Sequence, residues 1–286
     1  MYRYVFIAAT ALSFAACTSE EINTSSQGEV ALEVNTDISG TQTRASGTQW
    51  GTNDEIGIST VTGTATDYTN RAYRWNGSSF EAVAENIYFQ SAEEVTFNAY
   101  YPYTADATYT DVSTSAENQK ADTQPKIDFL YATGATASKA DPTVSFTGEN
   151  AFQHCMSQIT LNFFEGNNVD LSSSFSYTLS GLKLQGSFDT ATGTATADEV
   201  TPAELTLSLS ENNSHVILFP QAASTIGLTV TVNAQSYSAN LTPSSGKLEA
   251  GYNYTWNVTV SNTGLDISEA TIQDWEDGGT TNIIIN

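Results

Sequence analysis

Basic residues are scarce in this sequence of 286 residues, in which 9 Lys and Arg stand against 32 Asp and Glu, for a formal net charge of −23. Phosphate binding requires a basic surface, so the composition excludes nucleic acid as a partner. Charged residues of either sign make up only 14% of the chain, against about 25% in an average domain. The polarity comes instead from Thr, Ser, Asn and Gly, which favour strands and turns.

Cysteine and histidine are almost absent, with two residues of each. The sequence also lacks a glycine-rich phosphate loop and a nucleophile elbow. Three carboxylates gather in Asp274-Trp275-Glu276-Asp277, but the alternating ligands of a calcium loop are missing. We therefore predict no metal, no cofactor and no enzymatic activity. An acidic glycosidase stays a distant alternative, because any acidic chain offers many carboxylate pairs.

The first 28 residues read as an export signal and a tether. Arg3 precedes an apolar run too short to span a bilayer as a mature helix. The segment Phe14-Ala15-Ala16-Cys17 resembles a bacterial lipobox, which makes residues 1–16 a lipoprotein signal peptide and Cys17 an acylated N-terminus. Fatty acids such as palmitate would then anchor the chain to the outer membrane, each buried CH₂ contributing about 0.8 kcal/mol. A plain secretory signal is the alternative, and residues 17–28 form a polar, acidic tether.

The segment 29–38 is predicted to be a half-buried strand, because apolar and polar residues alternate along it. The small, polar loop 39–47 follows, and its isolated Arg44 is a favourable site for a trypsin-like protease. The residues placed on the apolar side are Val30, Leu32 and Val34.

Short alternating segments continue along the chain and predict an all-β fold of two tandem β-sandwich domains. We place the N-terminal sandwich at 29–142 and the C-terminal sandwich at 143–286, with a long loop at 104–124. The hairpin around Asn76-Gly77 is the strongest turn signal. The predicted strands of the second half lie near residues 159–163, 177–179, 205–209, 216–219, 228–232 and 252–260.

Three groups of residues raise the question of a binding or reactive site. Cys155 is expected to be a small buried residue, since adjacent strand residues point to opposite faces and His154 could not easily act as its base. His154 and His215 are expected to be surface or strand histidines. Aromatic residues around the long loop could form a sugar-stacking platform or pack in the core: Tyr100, Tyr101, Tyr103 and Tyr109.

Several segments in the same order resemble the fimbrillin family of type V pilus subunits, in its Mfa-like group. The resemblance covers nearly the whole chain and follows the lipobox. It rests on Thr43-Arg44-Ala45, Trp50, Asp54-Glu55-Ile56-Gly57-Ile58, the segments 96–103 and 128–132, Phe152-Gln153-His154, Phe219-Pro220, Ala250-Gly251-Tyr252-Asn253-Tyr254 and Ile272-Gln273-Asp274-Trp275.

The resemblance implies two transthyretin-like sandwiches and a role as a tip or stalk subunit of an adhesive cell-surface fimbrium. It implies an outer-membrane lipoprotein precursor that is cleaved between Arg44 and Ala45, losing its first strand, 29–38. A C-terminal strand of another subunit, identical or different, would fill the groove by donor-strand exchange. The expected donor residues here are Ile283, Ile284 and Ile285.

Two alternatives stay open at this point. If Arg44 is only a loop residue, the chain is a monomeric, lipid-anchored surface protein that binds glycans. The short tail after Gly278-Gly279 carries three consecutive isoleucines and alternates only partly, so tip and stalk positions are equally favoured. The host or glycan ligand is not defined by the sequence.

Overall fold

The chain folds into strands joined by turns, as the composition predicts. The computed structural model describes residues 29–39, 50–61 and 65–275. In this part of the chain the only helices are short 3₁₀ turns at Ala116–Gln119, Gln124–Lys126 and Gly148–Asn150. The strands up to residue 154 are β1 (Glu33–Thr36), β2 (Glu55–Thr60), β3 (Arg71–Trp75), β4 (Phe80–Ala82), β5 (Val95–Tyr101), β6 (Tyr109–Ser113), β7 (Leu130–Ala137), β8 (Thr143–Phe146) and β9 (Gln153–His154). The later strands are β10 (Ser157–Glu165), β11 (Phe175–Leu182), β12 (Gln185–Asp189), β13 (Thr194–Ala197), β14 (Ala203–Leu209), β15 (Asn213–Leu218), β16 (Gln221–Ala222), β17 (Ile226–Val232), β18 (Gln235–Leu241), β19 (Lys247–Leu248), β20 (Tyr252–Ser261), β21 (Gly264–Ile267) and β22 (Thr271–Asp274).

The first half is a six-stranded sheet with a much smaller second layer. The sheet has the order β4-β3-β2-β5-β7-β9, and a two-stranded parallel sheet of β1 and β8 lies beside it. Both layers contribute to one apolar core, which includes Leu32, immediately before β1, and Phe146 of β8. The hairpin β3–β4 confirms the turn predicted at Asn76-Gly77. Because the second layer has so few strands, β1 accounts for a large part of it.

The second half is a sandwich of two larger sheets. One sheet contains β15, β10 and β20, with β21 and β22 both paired to β20, and the other has the order β14-β11-β17-β18. Alternate residues of each sheet meet in a single core around Trp256 and Tyr177. All six strands predicted in this half are present, and the all-β sandwich fold is confirmed.

Packing assigns residues 143–154 to the first half. Val144, Phe146 and Phe152 are fully buried in the first core, and β9 pairs with β7 of the first sheet. These residues lie beyond the boundary that we predicted after residue 142. We therefore propose that the two sandwiches divide at residues 155–156, between β9 and β10.

A third apolar cluster joins the two halves. Phe129 of the first half stacks on Phe188 of the second, with ring centroids 4.5 Å apart and planes 2° apart. The segment predicted as a long loop supplies β6, which pairs with β12 of the second half. Further along the same segment, the buried Gln119 amide donates to the carbonyl of Ile217 and accepts from its N–H. This contact satisfies backbone groups on the edge strand β15, which an open edge would leave unpaired.

Replacing Phe188 with alanine tests the importance of this cluster. We expect Phe188→Ala to lower the free energy of unfolding by about 3–5 kcal/mol, because it leaves a cavity between the halves. The matched control is Phe164→Ala in β10, because Phe164 is 49% exposed. This substitution should lower the free energy of unfolding by about 1 kcal/mol or less. Urea unfolding followed by circular dichroism measures both, and equal losses would contradict the role of the cluster.

Candidate functional site: the seat of the first strand

The backbone of residues 29–39 is paired along much of its length with segments of the first half. Glu33–Thr36 runs parallel to Thr143–Phe146. On one side, Leu32 N–H donates to the Ile87 carbonyl at 2.8 Å, and Phe89 N–H donates to the Val30 carbonyl at 3.1 Å. The segment thus lies between residues 87–89 on one side and residues 142–146 on the other. We call the groove between these two stretches the strand seat.

The far end of the strand is paired as well. Asp37 N–H donates to the Phe146 carbonyl at 2.8 Å, and Phe152 N–H donates to the Asp37 carbonyl at 3.0 Å. Ser39 N–H donates to the Phe152 carbonyl at 2.8 Å. These bonds fix the register of the strand in its seat, and a shift by one residue would turn its apolar side outward.

The side chains alternate as predicted. Leu32 is only 3% exposed, and Val30, Val34 and Ile38 pack against the same core from partly buried positions. A groove of about 420 Å³ runs beside Leu32 and Val34; its other lining residues are Glu33, Tyr73, Ser79, Phe80, Glu81, Ala82, Asn86 and Thr143. The side of the seat that faces the core is therefore apolar, and the groove beside the seated strand also has polar lining residues.

Tyr73 holds the wall of the seat in place. Its hydroxyl donates to Asn86 Oδ1 at 2.6 Å and accepts from the N–H of Ile87 at 3.1 Å. Ile87 is the residue whose carbonyl pairs with Leu32. Burial raises the pKa of Tyr73 to about 12, so the phenol stays neutral and keeps both bonds across the physiological range.

The site residues predicted from the sequence lie outside the described residues. Cys17 precedes residue 29, Arg44 and Ala45 fall between residues 39 and 50, and Ile283, Ile284 and Ile285 follow residue 275. What the structure describes is the strand on one side of Arg44 and the core residue Trp50 on the other. The contacts of the strand with residues 87–89, 142–146 and 152 were not predicted, because no local pattern pairs segments so distant in sequence.

His154 and Cys155 lie at the junction of the two halves. His154 lies on the strand β9, as one of the two expected placements has it, and it is buried. Its Nδ1 is 2.8 Å from Asp128 Oδ1, and its ring stacks on Trp275 with centroids 4.2 Å apart. Cys155 is 6% exposed, which confirms that it is a small buried residue. His215 lies on β15, where burial lowers its pKa.

Tyr100 and Tyr101 are not available for a sugar-stacking platform. Tyr100 and Tyr101 are 3% and 5% exposed, so their rings are covered by protein. Tyr109 is partly buried and packs on Phe129 with centroids 4.8 Å apart. Burial raises the pKa of Tyr100 to about 12, while its hydroxyl donates to Asn70. The structure therefore supports core packing, the other interpretation of this aromatic group.

Two further features are settled for the described part of the chain. Within residues 29–39, 50–61 and 65–275, no three His, Cys, Asp or Glu residues are grouped so that they could hold a metal ion. None of the helices in these same ranges has the length and apolar character that crossing a bilayer requires.

Comparison with known proteins identifies the family to which this chain belongs. The sequence profile described as fimbrillin-like matches residues 43–275. The chain belongs to the fimbrillin-like family. This is a family of structural fimbrial subunits and not of enzymes, and it places the chain at the cell surface. The match begins next to Arg44, so the first strand lies outside it.

Individual relatives agree with the fimbrillin-like assignment. A Bacteroides uniformis protein named "Putative fimbrium subunit Fim1C" is 29% identical over 287 aligned residues, covering 92% of this chain and 91% of the relative. The crystal structure of "a putative cell adhesion protein" from Bacteroides ovatus has 30% identity and a TM-score of 0.72, covering 87% of this chain and 98% of that one. The tip fimbrial protein Mfa3 from Porphyromonas gingivalis shares the fold, with a TM-score of 0.54 at 8% identity over 86% of this chain and 100% of that one.

Truncating Leu32 tests how much of the first core depends on the seated strand. We expect Leu32→Ala to lower the free energy of unfolding by about 2–5 kcal/mol, since Leu32 is the most deeply buried residue of the strand. Asn35→Ala, on the exposed side, should change it by about 0.5 kcal/mol or less. Denaturant titration of both variants is the measurement, and a small loss for Leu32→Ala would show that the core does not rely on β1.

Cys155 should be unreactive in the folded protein. Burial is the main cause that raises the pKa of its thiol, and the Asp128 carboxylate adds to it. The thiol therefore stays protonated far above its usual range, and the thiolate is the reactive form. In a Cys17→Ser variant at mildly alkaline pH, a thiol reagent such as DTNB should react only after denaturant is added. Rapid reaction of the native variant would contradict this.

Proposed function

We propose that this fimbrillin-like chain is a structural subunit of an adhesive cell-surface fimbrium, assembled by replacement of its first strand. Proteolysis after Arg44 would cut the chain between β1 and Trp50. Segment 29–39 would then be held only by hydrogen bonds and apolar contacts. A strand of another subunit, of the same or another kind, would take its place in the seat.

The observation that carries this proposal is the position of β1 in the first half. Within the described residues it is one of two strands in the small sheet that packs on the six-stranded sheet, and Leu32, immediately before it, reaches the core. Loss of β1 would expose apolar surface around Val144 and Phe146, and burial of that surface again supplies the driving force for binding a new strand. The backbone groups of β8 and of residues 87–89 would direct how that strand pairs.

Arg44 is better placed for cleavage than the other arginines of the mature chain. Arg71 and Arg74 lie in β3, which is paired on both sides by β2 and β4. Their guanidinium groups are also engaged, Arg71 with Glu85 at 3.0 Å and Arg74 with Glu55 at 2.7 Å. A protease binds an extended, unpaired chain, so the segment around Arg44, which the sequence predicts to be a polar loop, is the site that we propose.

The ends of the chain complete the proposal. Acylation of Cys17 would hold the precursor in the outer membrane through the tether 17–28, and cleavage after Arg44 would release it from that anchor. The tail with Ile283, Ile284 and Ile285 follows Trp275, whose N–H donates to the Gly251 carbonyl. We propose this tail as the donor strand of a stalk subunit; a tip subunit would use only its seat.

Limited digestion with trypsin tests the proposal. We expect cleavage at Arg44–Ala45, identified by mass and N-terminal sequence, followed by oligomers that resist SDS without boiling. Arg44→Gln is the matched control, because it removes this site and leaves every lysine. The variant should stay uncut between residues 44 and 45, and it should remain monomeric.

The contrary outcome is equally clear. A protein that loses residues 29–38 completely and yet stays monomeric at high concentration, alone and with related subunits, would exclude assembly through the seat. Cleavage at a lysine with Arg44 intact would exclude the proposed processing site.

A further inference from the structure

The inward side of the first strand is apolar at every position but one. Val30, Leu32, Val34 and Ile38 all pack against the first core. Thr36 belongs to the same alternation and occupies the inward position between Val34 and Ile38. A hydroxyl at that place in an apolar trough needs a hydrogen-bond partner, since burying it without one is unfavourable.

The partner of Thr36 is the indole of Trp50. Trp50 Nε1 lies 2.7 Å from Thr36 Oγ1, and an indole N–H can only donate. Trp50 is 8% exposed and is enclosed by three rings in edge contacts, with centroids of Phe80, Tyr101 and Phe152 at 5.1, 5.5 and 5.2 Å. These contacts fix the direction in which the N–H points, which is into the seat.

The two groups of this bond lie on opposite sides of Arg44 in the sequence. If the chain is cut there, Trp50 remains with the sandwich and Thr36 leaves with β1. The seat then contains one donor with no acceptor, at a position fixed by the backbone bonds of Asp37 with Phe146 and Phe152. An incoming strand in the same register places its own side chain at the position of Thr36.

We infer that Trp50 selects the strand that replaces β1 by requiring a hydrogen-bond acceptor at the Thr36 position. The favoured partner is an extended segment of the form apolar-x-apolar-x-apolar-x-acceptor-x-apolar, in which the acceptor is a small side chain such as Thr or Ser. An aliphatic residue at that position would cover the Trp50 N–H without pairing it. This inference rests on the proposed function, and it adds which chemistry the incoming strand must have.

Peptide exchange into the nicked protein is the direct test. The full chain is cut after Arg44, a labelled peptide of residues 29–39 is exchanged into it, and unlabelled peptides compete. We expect Thr36→Ser to compete within about threefold of the native peptide and Thr36→Val to compete about 5- to 150-fold less well, the range for an uncompensated buried donor. Asn35→Val is the matched control, because it introduces the same valine at the adjacent exposed position; it should compete like the native peptide.

The same peptides against a Trp50→Phe chain separate recognition from general packing. Without the indole N–H, the difference between the native peptide and the Thr36→Val peptide should disappear, as a double-mutant cycle requires for a direct interaction. Equal competition by these two peptides against the chain that retains Trp50 would overturn the inference, as would an unchanged preference in the Trp50→Phe chain.

A second measurement tests the inference even if the nicked chain exchanges no peptide. In the uncut protein, Thr36→Val, Trp50→Phe and the double variant form a cycle in denaturant unfolding, and additive effects would contradict the inference. The experiments distinguish a failure of the selection by Trp50 from a failure of the proposed strand replacement. If SDS-resistant oligomers form but Thr36→Val competes normally, only the selection by Trp50 is wrong. If the peptide preference holds but no oligomers form, strand replacement between subunits is wrong.

Discussion

The apolar face of the first six-stranded sheet must be covered, and the chain covers it with very little structure. A sheet with one exposed apolar face is unstable in water, and two packed layers are the usual solution. Here the covering layer contains a two-stranded parallel sheet, one strand of which is β1. The hydrogen bonds and the apolar contacts of β1 therefore matter more than its four residues suggest, and the proposed assembly depends on the same requirement.

Local pattern predicted the elements of the fold better than their partners. The alternation around Leu32 predicted an inward and an outward face for the first strand, and both are present. The Asn76-Gly77 turn likewise predicted its hairpin. The pairing of that first strand with Thr143–Phe146 was not predictable, because alternation specifies which side is apolar and says nothing of a partner more than a hundred residues away. The strand β6 was also missed, since its polar residues show no alternation.

The candidate site shows the same division. Arg44 stands out in the sequence as an isolated basic residue, and the family resemblance assigned it a role. The bond between Thr36 and Trp50 carries no such sequence signal: a threonine in a strand and a tryptophan after a loop are ordinary in a β-sandwich. His154 is a similar case, because its contact with Asp128 joins β9 to the segment that precedes β7. Side-chain pairs of this kind depend on register and packing, which one sequence does not reveal.

The two sandwiches are tied together twice. The chain itself connects their sheets between β9 and β10, and the pairing of β6 with β12 forms a second tie between segments far apart in the sequence. A single covalent link between domains would act as a hinge, because one point of attachment leaves rotation free. These two ties, together with the stacking of Phe129 on Phe188, oppose bending between the halves. Under a pulling force the two halves would then resist separation as one unit, because the covalent chain and a strip of paired backbone would share the tension.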